Sequence, residues 1–92
     1  MRSGTSPILT IGGTASGFSI SATEHFNFPD VTANSRVVAS VSEVRSDGKP
    51  FIGDATLKLE GVAPNDDGEI VVKVTNYFDA RVFYKVTWFV SP

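Results

Sequence analysis

Ninety-two residues, with 41% hydrophobic and 20% charged side chains, are enough for one small globular domain and too apolar for a disordered chain. Eight lysines and arginines scattered among ten acids leave a net charge of −2, which does not supply the basic surface that nucleic-acid binding needs. There is no cysteine, so zinc–thiolate sites, thiol chemistry and disulfide support are all excluded.

A domain of this size buries a modest fraction of its surface, so its stability must come from a well-packed core or from assembly. No apolar run approaches the roughly 18 residues of a membrane-spanning segment. Met1-Arg2-Ser3-Gly4-Thr5-Ser6-Pro7 lacks the apolar stretch of a signal peptide. Localisation stays open on these grounds, with an extracellular or virion-surface setting favoured for a chain that relies on assembly.

In chain order, the stretch from Arg2 to Ser19 is rich in Ser, Gly and Thr. It reads as an N-terminal arm or edge strand over residues 1–17, followed by the domain proper over 18–92. Within and beyond it, six strands are predicted: Ile8–Ile11, Phe18–Phe28, Ser35–Arg45, Ala55–Val62, Glu69–Thr75 and Arg81–Val90. The period is two nearly throughout. Leu57 and Leu59 alternate with Lys58 and Glu60, and Ile70, Val72 and Val74 alternate with Glu69, Lys73 and Thr75. No apolar pattern of helical period persists for three turns.

Turn chemistry separates these runs. Gly12-Gly13, Phe28-Pro29-Asp30, Ser46-Asp47-Gly48-Lys49-Pro50 and Asn65-Asp66-Asp67-Gly68 place glycine where positive φ is needed and Asp or Asn where a side chain bonds its own backbone. The expected fold is all-β: a single small antiparallel β-sandwich of about six strands.

The last strand differs from the rest. Val82, Tyr84, Val86, Trp88 and Val90 form one face, and Phe83, Lys85, Thr87 and Phe89 form the other. A strand with one wet face should not carry aromatic residues on both. This predicts a homo-oligomer, with a trimer favoured, that uses Phe83 and Phe89 near its contact.

Chemistry-bearing residues are few. His25 is the only histidine and stands in an alternating strand, so it reads as a strand histidine rather than a catalytic base or metal ligand. No serine has the context of a nucleophile. Asn65-Asp66-Asp67-Gly68-Glu69 has carboxylates but neither the length nor the spacing of a calcium loop, and reads as a hairpin turn. The expectation is therefore a chain with no catalytic residues, no metal and no cofactor.

Thr75-Asn76-Tyr77-Phe78-Asp79-Ala80-Arg81 is the most informative loop. Tyr77 can stack on the apolar face of a sugar, and Asn76, Asp79 and Arg81 can bond hydroxyl groups beside it. The structural alternative places Phe78 as a plug in the end of the sandwich and pairs Asp79 with Arg81.

The order of these pieces resembles the H-type lectin family from about His25 to Phe89. The resemblance rests on Phe26-Asn27-Phe28-Pro29, on the strand Val37-Val38-Ala39-Ser40-Val41-Ser42-Glu43-Val44, on Gly61-Val62-Ala63-Pro64, and on the loop at Asn76 and Tyr77 leading to Tyr84-Lys85-Val86-Thr87-Trp88. It implies a six-stranded sandwich that assembles as trimers or larger forms and binds galactose-type sugars. The chain departs from that family where a sugar-contacting arginine is expected, since Asp54 or Ala55 stands there. It departs again before the last strand, where Asn76 and Tyr77 replace the family's Trp and His. The function expected is a lectin-like module that binds a glycan or glycoprotein as an oligomer. The alternative is a structural or attachment module of a viral, phage or secreted assembly that binds protein partners.

Overall fold

The computed structural model describes residues 2–13 and 20–91. They form seven strands and, among the described residues, no helix: β1 Arg2–Thr5, β2 Leu9–Ile11, β3 Ile20–Asn27, β4 Arg36–Val44, β5 Leu57–Pro64, β6 Glu69–Asn76 and β7 Val82–Ser91. They build two antiparallel sheets. In one, β7 is central, with β4 along one side and β1 and β2 sharing the other. In the other, β6 is central between β3 and β5. The all-β sandwich read from the period-two pattern is the fold. The predicted start of the second strand at Phe18 lies outside the described residues.

β1 is the strand that the amphipathic pattern does not show. Arg2–Thr5 pairs with the C-terminal half of β7 and Leu9–Ile11 with its N-terminal half. Thr5 lies opposite Thr87 and Leu9 opposite Tyr84, so four steps on one side face three on the other. The extra residue falls where Pro7 has no amide proton to give the ladder. Ser6 holds the joint. Its N–H donates to the Val86 carbonyl at 2.8 Å, and its buried hydroxyl accepts from the Val86 N–H at 2.9 Å. A side chain thus stands in for the main-chain acceptor.

The core lies between the sheets. Val82, Tyr84, Val86, Trp88 and Val90 of β7 face Ile70, Val72 and Val74 of β6, and all are buried. Trp88 anchors one end. Phe26 stacks on it at 4.8 Å between centroids and Phe28 meets it edge-on at 6.5 Å. Gly4 lies opposite Trp88, and a Cβ there would fall 2.6 Å from the indole ring, so only glycine lets β1 pass over it.

Among the described residues, the sandwich has one clasped end and one open end. At the clasped end the 28–35 loop is tied to the 65–68 turn. Phe28 N–H donates to the Gly68 carbonyl at 2.7 Å, Ala33 N–H donates to the Asp66 carboxylate at 2.8 Å, and Val31 is buried beneath. In the turn itself, Asn65 Oδ1 accepts from the Asp67 and Glu69 amides and Gly68 takes φ of 76°. The acidic stretch therefore works as a turn and a clasp. The open end carries the 45–56 and 77–81 loops.

β7 is covered on both faces along part of its length by its own chain. The 45–49 turn, with Gly48 at φ of 86°, lies against Lys85 and Ile8 on the outer face. Val44, an outward residue opposite Phe83, is only 2% exposed. Phe83 is half-buried, with the Arg81 guanidinium 5.4 Å from its ring centre. Phe89 is different: it is 47% exposed and lies opposite Val38, which is 69% exposed. The two aromatics expected to act together thus sit in unlike surroundings.

Candidate functional site

The loop between β6 and β7 begins with a buried residue. Asn76 ends β6, is fully buried, and spends its amide on the loop itself. Its Nδ2 donates to the Gly12 carbonyl at 2.9 Å and the Ala80 carbonyl at 3.1 Å, while its Oδ1 accepts from the Phe78 N–H at 2.9 Å. Both amide hydrogens are spent within the protein, and the oxygen accepts its bond at a fully buried position. The sequence-based expectation that Asn76 contacts a ligand is therefore corrected: it shapes the loop from below. Gly13 lies so close to Ala80 that a Cβ there would meet its backbone at 2.7 Å, so the 12–13 segment and this loop pack directly together.

The turn made by Asn76 sends the next two residues opposite ways. Phe78 is half-buried and packs on the core, as the plug reading expects. Tyr77 points outward and is 47% exposed. Its backbone N–H donates to the Thr56 carbonyl at 3.0 Å, which fixes the loop to the start of β5. Asp79 and Arg81 are exposed in the same loop, and Arg81 lies over Phe83. Among the described residues the ion pairs are Arg2–Asp30 and the 3.7 Å approach of His25 to Glu69, so the Asp79–Arg81 pair is not formed. His25 itself lies on the exposed face of β3.

Two further residues complete the surroundings of Tyr77. The Lys58 ammonium lies 5.4 Å from its ring centre, and its hydroxyl donates to Glu60 Oε1 at 3.0 Å. The bond to Glu60, with smaller contributions from partial desolvation and the Glu60 charge, raises the phenol pKa above its ordinary value. Glu60 reaches this position through a bulge. Leu59 pairs with Val74 and Gly61 with Lys73, so Glu60 is the unpaired extra residue and turns outward. Lys58 and Glu60 read in the sequence only as the wet face of β5. Gly61 could have signalled the bulge at Glu60, because glycine inside a strand marks such a site, but nothing in the pattern sets Lys58 beside Tyr77.

The open end thus presents a half-exposed phenol ring with an ammonium over it and a carboxylate on its hydroxyl, next to a free acid and a guanidinium. Such a patch can stack on an apolar ring face and exchange hydrogen bonds in both directions. It holds no nucleophile–base pair. Among the described residues, no three His, Asp or Glu side chains are grouped to hold a metal ion. Comparison with protein-family models, with curated proteins and with solved structures finds no match to this chain.

Proposed function

We propose that this protein is a non-catalytic, lectin-like module that binds a glycan or glycoprotein at the open end of its sandwich. The observation that carries this reading is the outward Tyr77 ring, held by a buried asparagine beneath it and flanked by Lys58 and Glu60. Tyr77 stacks on the sugar, and Asp79 and Arg81 bond its hydroxyls with Lys58 and Glu60. Galactose-type preference is not part of the proposal, since the arginine that the H-type lectin resemblance would require is replaced.

A single shallow patch binds weakly, and several copies in one assembly multiply its affinity. The bare pair Val38 and Phe89 on the outer face favours a homo-oligomer, and a trimer would direct three open ends to one surface. The same pair favours the second reading, an attachment module whose partner is a protein. A glycan array probed with the unmodified protein and with Tyr77→Ala separates the two, with mass in solution measured on both samples. Specific signals that vanish in Tyr77→Ala support the glycan reading. A well-folded oligomer with no signal on the array supports the attachment module.

A further inference from the structure

The open end holds a second feature on the opposite side of β5 from Tyr77. The inward positions of β4 are Val37, Ala39, Val41 and then Glu43. An acid therefore takes the fourth place in an apolar series, opposite Tyr84 of the core strand. Beside it the chain doubles back. Phe51 N–H donates to the Glu43 carbonyl at 3.1 Å, and Pro50 bridges to Val44. Between this return and the start of β5 lies a pocket of about 400 Å³, lined by Val41, Glu43, Phe51, Gly53 and Leu57 among others. That volume is within the range of small-molecule sites, which are mostly apolar with few polar groups.

Glu43 Oε1 is shielded from solvent and has no hydrogen-bond partner. A shielded carboxylate oxygen without a donor is costly, so it marks a position that a donor completes. The neighbouring cations are turned elsewhere: Arg45 lies over the Phe51 ring at 4.7 Å, and none of the described lysines or arginines pairs with Glu43. Gly53 packs directly against the Glu43 oxygen and the Phe51 ring. A Cβ there would stand 3.1 Å from Glu43 Oε1 and 2.8 Å from the Phe51 ring. Ile52, beside it, is fully exposed at the pocket rim.

We infer that this pocket is a binding site for a small organic cation, an ammonium group on an apolar body. The ammonium pairs with the Glu43 carboxylate, and the body lies against Phe51, Val41 and Leu57. The site is separate from the Tyr77 patch and does not depend on what that patch binds.

The test is an amide-detected NMR titration of the intact chain with three probes of one skeleton: 3-phenylpropylamine, 3-phenylpropan-1-ol and 3-phenylpropanoate. A charge-assisted bond to the carboxylate should make the amine bind tenfold or more tightly than the alcohol, at least about 1.4 kcal/mol. Its saturable shifts should centre on Glu43, Phe51, Gly53 and Leu57, and the propanoate should produce none. Glu43→Gln should bring the amine and the alcohol to equal affinity. The probe series on the unmodified chain stands even if that variant folds poorly. Equal binding of amine and alcohol, shifts confined to the Tyr77 loop, or no saturable shift would each overturn the proposal.

Discussion

Two neighbouring residues, Asn76 and Tyr77, carry opposite duties, and their variants should separate cleanly. Asn76→Ala removes three hydrogen bonds at a fully buried position and leaves the Gly12 and Ala80 carbonyls and the Phe78 amide without their partner. A loss of about 2–3 kcal/mol in denaturant unfolding is expected. Tyr77→Ala removes an exposed ring and one exposed hydrogen bond, and should cost no more than about 0.5 kcal/mol. Tyr84 offers a second contrast. Its hydroxyl is buried with no partner, and burial together with the Glu24 charge pushes its pKa up to about 12 from 10.0. Tyr84→Phe should therefore leave stability unchanged or raise it by about 1 kcal/mol. The unfolded phenol ionises near pH 10 while the folded one keeps its proton, so the unfolded state binds fewer protons and stability falls between pH 10 and about 12. The corresponding loss is roughly 2–3 kcal/mol at about 1.4 kcal/mol per pH unit. Urea unfolding at pH 8 and pH 11 should show about half of this loss, roughly 1.4 kcal/mol, in the native chain and a smaller one in Tyr84→Phe.

At the scale of elements, the sequence was legible where burial imposed a period of two. β3 alternates throughout, and β4, β6 and β7 do so over most of their length, because one face of each packs on the opposing sheet. β1 was legible only as an arm or edge strand over residues 1–17, not as a named strand. Ser3, Gly4 and Thr5 carry no apolar alternation, and what makes them a strand is the free edge of β7 and the space that Gly4 leaves for Trp88. Gly4→Ala tests this. The added methyl meets the indole rather than a flexible chain end, so a loss of about 1–3 kcal/mol is expected in thermal or urea unfolding. The candidate site was half legible for a related reason. Composition marked the 76–81 loop, but whether an asparagine faces solvent or braces the loop is decided by Gly12 and Ala80, which are not its pattern neighbours. Lys58 and Glu60 came into the site only through the register that sets Leu57 opposite Asn76 and so brings the outer face of β5 beside Tyr77.

For the whole molecule, the most consequential feature is the place of β7: last in the chain, yet central in its sheet. The bond from Val86 N–H to the Ser6 hydroxyl joins residues 80 apart. Closing so long a loop costs entropy before any contact rewards it, which slows folding. By contrast, β5 and β6 are joined by the short 65–68 turn and need nothing from β7 to pair. The transition state for folding should accordingly contain the β5–β6 hairpin, with Val72 and Val74 substitutions slowing folding. Substitutions on β1, such as Gly4→Ala, should instead speed unfolding; stopped-flow kinetics distinguishes the two. During synthesis the first sheet has no hub until β7 has been made. The unpaired edge of β4 and the segment holding β1 and β2 must therefore wait in the open, so the nascent protein is exposed to misassociation until β7 arrives.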